Sequence, residues 1–196
     1  MIVTRGAATA RGYGARGDER STRISLRYGW PPEDPRLSAE GVIVRLSELR
    51  LGENPALAGL KHLSRLELVL ARRGLDAAGV HEALLLSSSG RLVSGSMTNV
   101  FLVEGNRLRT PRIDVCGVAG VMRHVVLRAA QRDGLAVEEG ALGREDLERA
   151  QEVFLTNARV GIWPVRQVDT RTLSPGPMTR RLQQLIAPSL AEASHA

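Results

Sequence analysis

Lysine, cysteine and aromatic residues are scarce in this 196-residue chain, which has one lysine, one cysteine and 3% aromatic residues. The one cysteine, Cys116, cannot form a disulfide within the chain, so we expect a protein of the reducing cytoplasm. The basic residues are scattered and few aromatic rings could stack on bases, so the net charge of +6 does not predict a nucleic-acid partner. No apolar run approaches the roughly 20 residues of a membrane span, and no signal peptide is evident. These absences predict a globular protein that binds neither nucleic acid nor membrane.

Short strands and helices are mixed along the chain, and tight turns join several strands. A Ser/Gly turn within residues 81–96 and an EGN turn within residues 98–112 predict two hairpins. The proline-rich stretch 31–41 predicts a linker. Apolar residues at helical spacing predict helices over residues 60–73, 120–133 and 176–190. Because hairpins pair antiparallel strands, we predict an α+β (mixed α/β) fold and not a doubly wound parallel sheet.

The single lysine, Lys61, is unusual because the other 26 of the 27 lysine and arginine residues are arginine. A lone lysine at a helix start is ordinarily a solvated surface charge, a role that arginine fills equally well. Only lysine has a primary amine that forms a Schiff base, or that exchanges a proton near neutral pH when it is desolvated. Its neighbours Leu60 and Leu63 are apolar, so we expect a partly buried, reactive amine at the start of the predicted helix.

Two other reactive side chains, His62 and Cys116, are predicted to have structural roles. Successive helix residues point about 100° apart, so a helical His62 would point away from Lys61 and serve packing or the surface. Cys116 is expected to be a small buried residue and not a nucleophile. The other histidines show no metal-ligand spacing, and we predict no metal site.

Glycines at positions 117 and 120 immediately precede a predicted helix in the segment CGVAGVMRHVV. A glycine-rich turn at a helix N-terminus presents unpaired backbone N–H groups, and the helix dipole favours an anion there. Val121 and Met122 are therefore candidates for binding a phosphate. Glycine also precedes many helices that bind nothing, so a purely structural turn is the alternative.

A strand end in the segment FLTNARVGIWPV exposes the small residues Thr156, Asn157 and Ala158. Such strand ends line binding sites, and they also simply begin turns. A lysine amine, a phosphate-binding turn and a polar strand end together suit pyridoxal 5'-phosphate (PLP). The aldehyde of this cofactor needs a lysine, and its phosphate suits a helix N-terminus.

Four segments resemble, in the same order, those of the fold-type IV PLP enzymes: GLKHLSRLELVLAR, EALLLSSSGRLVSGSMTNVFLV, LRTPRIDVCGVAGVMR and VFLTNARVGIWPV. The resemblance covers essentially the whole chain and is greater to the aminodeoxychorismate lyases than to the branched-chain or D-amino-acid aminotransferases. It implies a homodimer that uses PLP to convert 4-amino-4-deoxychorismate to 4-aminobenzoate and pyruvate, a step of folate biosynthesis. A fold-type IV aminotransferase is the alternative.

The resemblance also implies which residues contact the cofactor. Lys61 is the Schiff-base lysine and the general base. The backbone of Val121 and Met122 holds the phosphate, and Asn157 and Ala158 lie beside the cofactor.

The N-terminal stretch RGAATARGY resembles a small-domain segment that closes over the substrate side, which implies substrate binding by Arg11 and Tyr13. The family has further strands and a helix before this stretch. The resemblance therefore divides the chain into residues 1–36, a remnant of the small domain with its linker, and residues 37–196, the PLP-binding large domain. A truncated, catalytically silent remnant is a further alternative.

Ser94 stands where the family has a glutamate opposite the pyridine nitrogen, five residues before the asparagine of the TNVF segment, here Asn99. A glutamate would hold the ring nitrogen protonated, whereas a hydroxyl makes a weaker hydrogen bond. The resemblance thus implies that Ser94 contacts the cofactor and that the electron sink is weaker. A weaker sink would impair transamination more than an elimination whose product is aromatic.

Overall fold

The computed structural model describes residues 1–7, 12–15, 17, 19–29, 32 and 34–194. The chain divides into two compact units, Met1–Glu33 and Asp34–Ala196. The resemblance implied a different division, into a small-domain remnant at residues 1–36 and a large domain at residues 37–196. That assignment to family domains stays a prediction.

The first unit contains a short antiparallel ribbon of β1 (Ile2–Thr4) and β2 (Thr22–Ile24). Gly6 follows β1 with φ 103°, and a Cβ at this position would lie 1.9 Å from the carbonyl oxygen of Arg20. The backbones approach so closely here that only glycine fits.

The second unit is built on a mixed sheet, which contains nine strands within residues 34–194. The strands are β3 (Val42–Leu51), β4 (Glu82–Ser87), β5 (Leu92–Gly95), β6 (Asn99–Glu104), β7 (Arg107–Pro111), β8 (Ala136–Gly140), β9 (Glu152–Asn157), β10 (Gly161–Val168) and β11 (Arg171–Thr172). Their order is β5-β4-β3-β10-β9-β6-β7-β8, with β11 paired to β10. The predicted hairpins β4–β5 and β6–β7 are antiparallel, whereas β3 pairs in parallel with β4 and with β10. The predicted α+β class is confirmed.

Five α-helices accompany the strands in the described part of the chain. They are α1 (Pro35–Glu40), α2 (Leu66–Arg72), α3 (Val121–Arg132), α4 (Arg144–Arg149) and α5 (Pro177–Ser194). The predicted linker was wrong in part, because it contains α1. The side chain of Asp34 caps this helix by accepting a hydrogen bond from the Arg36 N–H, and Pro35 has the backbone angle that a first helical turn requires.

Alternation along the central strands divides the core between the two faces of the sheet. In β6, Val100 and Leu102 pack in one buried cluster, whereas Phe101 and Val103 pack in the other. The second cluster includes α3 and α5, and in it the Phe101 ring stacks on Phe154 with centroids 4.9 Å apart. Among the described helices, none is both long and apolar enough to cross a membrane.

Candidate active site

Lys61 lies in an irregular segment, residues 58–65, and not on a helix as predicted. The helix α2 begins only at Leu66, because Arg65 has a non-helical φ of −130°. Leu60 and Leu63, whose spacing predicted the helix, are 55% and 69% exposed. Lys61 is exposed as well, so the expected partial burial of its amine was wrong.

Backbone hydrogen bonds tie the Lys61 segment to the glycine-rich turn. The Gly59 N–H donates to the carbonyl of Gly117 over 3.0 Å, and the Ala119 N–H donates to the carbonyl of Gly59 over 3.1 Å. These bonds form a parallel bridge between Gly59 and Val118. The bridge brings together the two segments that the sequence predicted to bind the cofactor, although they are almost 60 residues apart in the chain.

The N-terminus of α3 is open to an anion. Its N-cap is Gly120, no side chain caps it, and the first N–H groups of a helix have no partner within the helix. A Cβ at Gly120 would lie 2.1 Å from Oδ1 of Asn99, whose Nδ2 donates to the carbonyl of Val118 over 2.9 Å. Asn99 therefore packs directly on the turn, and a side chain at position 120 would disrupt this contact.

A cavity of about 760 Å³ lies where β3, β5 and β9 end and where β6 and α3 begin. It brings together five of the residues that the sequence analysis assigned to the site: Lys61, Ser94, Val121, Asn157 and Ala158. Met122 does not line this cavity, and its side chain is buried in the core between α3 and the sheet.

The two predicted substrate residues are in the first unit or outside the described structure. Arg11 lies outside the described residues. Tyr13 belongs to the first unit, where Nη1 of Arg5 donates to the carbonyls of Tyr13 and Gly14, each over 3.0 Å. Their assignment to the substrate therefore stays a prediction.

Glu82 organises one wall of the cavity, the turn formed by residues 94–98. The carboxylate of Glu82 is fully buried on β4 and accepts hydrogen bonds from the N–H groups of Ser96 (2.9 Å) and Met97 (3.1 Å). It also accepts bonds from the hydroxyls of Ser96 and Thr98, and the guanidinium of Arg72 lies 3.6 Å away. This role of Glu82 was not predicted, although an acidic residue at the start of the apolar strand EALLL is a visible signal in the sequence.

Asn157 connects the end of β9 to the same turn. Its Nδ2 donates to the carbonyl of Met97 over 3.2 Å, and its Oδ1 accepts hydrogen bonds from the N–H groups of Arg159 and Val160. Ser94 is buried, and its hydroxyl donates to the carbonyl of Gly95 over 2.8 Å. Both predicted residues thus have fixed positions in the cavity wall before any ligand is considered.

His62 and Cys116 also line the cavity. His62 and Lys61 are not helical, so the 100° separation predicted for their side chains does not occur. Cys116 is 9% exposed, and burial raises the pKa of its thiol. A buried, protonated thiol matches the expected structural role.

The charged groups of the cavity wall are mainly cationic. Lys61, Arg65 and Arg72 line it, whereas Glu67 is the only carboxylate among its described lining residues. Oε1 of Glu67 is already engaged, because it accepts a hydrogen bond from the Gly52 N–H over 3.0 Å. Arg72 lies 3.6 Å from the buried carboxylate of Glu82, so Lys61 and Arg65 supply the remaining positive charge of the wall, which suits an anionic ligand.

The residues present fit PLP. A primary amine, a helix N-terminus without a side-chain cap and a cationic wall lie around one cavity. These are the groups that an aldehyde carrying a phosphate requires.

Known proteins resemble the chain along most of its length. An aminodeoxychorismate lyase of Vibrio harveyi is 34% identical over 92% of this chain and 68% of its own length. The crystal structure of 4-amino-4-deoxychorismate lyase from Pseudomonas aeruginosa superimposes with a TM-score of 0.91 and 40% identity, covering 96% of this chain and 69% of that one. A PLP-bound aminotransferase from Brucella abortus gives a TM-score of 0.69 and 26% identity, over 80% and 55% of the two chains. The model of the amino-transferase class IV family matches residues 1–168, and the chain belongs to that family.

Proposed function

We propose that this protein is a PLP-dependent lyase that converts 4-amino-4-deoxychorismate to 4-aminobenzoate and pyruvate. The observation that carries the proposal is the TM-score of 0.91 with a lyase of that specificity, over 96% of the chain. The single lysine lies in the cavity where such an enzyme needs one. A role in folate biosynthesis and a cytoplasmic location follow from the proposal and stay predictions.

Lys61 would hold the cofactor and, once released by the substrate amine, take the proton from the carbon that bears the nitrogen. When bound, PLP supplies the electron sink for that carbon. The N–H groups at Val121 and Met122 would hold the phosphate, with Asn157 and Ala158 beside the ring. Loss of the proton lets the neighbouring C–O bond break and the substrate ring become aromatic. The side chain leaves as enolpyruvate, which takes up one proton at its methylene carbon to become pyruvate.

The substrate of such a lyase carries two carboxylates. Arg11 and Tyr13 are proposed to act on the substrate side, as the resemblance implies.

The proposal is tested by mixing the purified chain with PLP and 4-amino-4-deoxychorismate and measuring both products. We expect pyruvate and 4-aminobenzoate in equal amounts. A second mixture contains PLP, a branched-chain or D-amino acid and 2-oxoglutarate, and amino transfer there without pyruvate release in the first mixture would instead establish the aminotransferase. Cofactor binding without either reaction would establish the catalytically silent alternative.

Replacing Ser94 by glutamate is expected to shift the balance from elimination towards amino transfer. A carboxylate beside the ring nitrogen would make a charge-assisted hydrogen bond, worth about 1.5–3 kcal/mol, which corresponds to about 10- to 100-fold in rate. The measurement is the ratio of amino transfer to pyruvate release, together with the cofactor absorption spectrum. Ser94→Gln is the matched control, since it adds similar volume without charge; equal spectra and ratios in both variants would contradict the assignment.

The proposal includes a homodimer. Five apolar residues on and before α2 are between 46% and 69% exposed: Leu60, Leu63, Leu66, Val69 and Leu70. An apolar surface of this kind beside a binding cavity is typical of a subunit interface. Sedimentation velocity is expected to give about twice the 21.2-kDa chain mass, and a monomer at micromolar concentration would contradict the dimer.

A further inference from the structure

We propose that Arg65 is a positioning residue for Lys61, because its guanidinium holds the backbone on both sides of the lysine. Nε of Arg65 donates to the carbonyl of His62 over 3.0 Å, and Nη2 donates to the carbonyl of Leu60 over 2.5 Å. These carbonyls belong to the residues immediately before and after Lys61. The catalytic consequence of this inference rests on the proposed function, whereas the contact between Arg65 and the backbone does not.

The Lys61 segment has few other restraints. Among the described residues, the N–H groups of Lys61, His62, Leu63 and Ser64 donate to no backbone carbonyl. The next backbone bonds are those of Leu60 and Gly59 on one side and of Val69 on the other. Without the guanidinium, no side chain among the described residues would hydrogen-bond to the backbone of this exposed segment.

Arginine is suited to this contact for a geometric reason. Its planar guanidinium presents several N–H donors in a fixed fork, so one side chain can engage two carbonyls at once. Within the part of the chain that the structure describes, Arg65 forms these two bonds and no ion pair. Burial lowers the pKa of Arg65, although Glu67 opposes this effect, and a guanidinium stays charged throughout the range of enzyme assays.

The consequence concerns the placement of the Lys61 amine. A displacement of about 1 Å in a reacting group can cost about 10²-fold in rate. If Arg65 only contributed charge to the cavity, its loss would raise KM. If it positions Lys61, its loss lowers kcat and leaves KM largely unchanged.

The first test uses the cofactor-free chain and depends on Lys61 being the only lysine. Reductive methylation with ¹³C-formaldehyde labels two amines, Lys61 and the N-terminus, whose NMR signals differ in chemical shift. In Arg65→Gln and Arg65→Met we expect the Lys61 signal to narrow relative to wild type, because the segment gains motion. Arg73→Gln is the matched control, since Arg73 is exposed and eight residues away in sequence.

The second test measures kcat and KM of unmodified variants with saturating PLP. We expect kcat to fall about 10- to 100-fold in Arg65→Gln and Arg65→Met, with KM changed much less. Unchanged Lys61 line width in both Arg65 variants would overturn the inference, and so would a rise in KM at constant kcat. A wild-type chain without lyase activity would refute the proposed function alone, because the NMR comparison would still decide the role of Arg65.

Discussion

Replacing Lys61 by arginine is expected to abolish covalent cofactor attachment and to lower lyase activity by at least about 10³-fold. Arginine keeps the positive charge, but a guanidinium does not deprotonate in proteins and cannot serve as nucleophile or base. After borohydride treatment with PLP, mass spectrometry of the wild type should show one phosphopyridoxyl group on the peptide that contains residue 61. The variant should show none there, because a guanidinium forms no imine that borohydride can reduce.

The double variant Lys61→Arg, Arg73→Lys is the sharpest control for this experiment. It restores the lysine content of the chain but moves the amine to an exposed position beyond α2. We expect neither efficient labelling nor activity from it. Labelling as strong as in the wild type would mean that any exposed amine reacts, and would contradict a specific role for Lys61.

Replacing Glu82 by alanine is expected to lower the free energy of unfolding by about 3–5 kcal/mol. Removing one member of a buried, hydrogen-bonded charge network typically destabilises a protein by this amount, because the partners lose their interactions. The substitution leaves the N–H groups of Ser96 and Met97 without their acceptor, and it removes the carboxylate beside Arg72. Urea unfolding monitored by circular dichroism measures the change. The turn 94–98 should also loosen, so cofactor affinity should fall with stability.

Glu148→Ala is the matched control for Glu82. Glu148 pairs with Arg144 over 2.9 Å, but both side chains are about 60% exposed, at 59% and 61%. An exposed ion pair contributes only about 0–1 kcal/mol, so this variant should unfold almost like the wild type. A loss below about 1 kcal/mol in Glu82→Ala, comparable to the control, would show that the buried network does not stabilise the fold.

Two hairpins of the sheet could be predicted from the turns that join their strands. The turns between β4 and β5 and between β6 and β7 contain glycines with positive φ, Gly90 and Gly105, which the sequence displays directly. The helix predicted over residues 60–73 forms only over Leu66–Arg72, and no comparable signal marks where it begins. The leucine spacing there describes an exposed apolar surface as well as it describes a buried helix face, and spacing alone does not distinguish them.

Some residues of the site could be predicted from the sequence, and others could not. Lys61 and the glycine-rich turn were recognisable because each has a chemical property that few other residues share. Arg65 was hidden among 26 arginines, and its role depends on two carbonyl contacts that no spacing rule predicts. Glu82 was hidden for a related reason, because its partners belong to a turn that lies 14 to 16 residues further along the chain.

The bridge between Gly59 and the glycine-rich turn has a consequence for how the cofactor is retained. The amine that would bind the aldehyde end and the helix N-terminus that would bind the phosphate end belong to segments joined by two backbone hydrogen bonds. Two attachment points at a fixed separation act as a chelate: once one end is bound, the other end meets its partner at a high effective concentration. Retention of the cofactor would then depend on the rigidity of the bridge between Gly59 and the glycine-rich turn as much as on the strength of either attachment. A cofactor released by Lys61 during turnover would stay in the cavity through its phosphate.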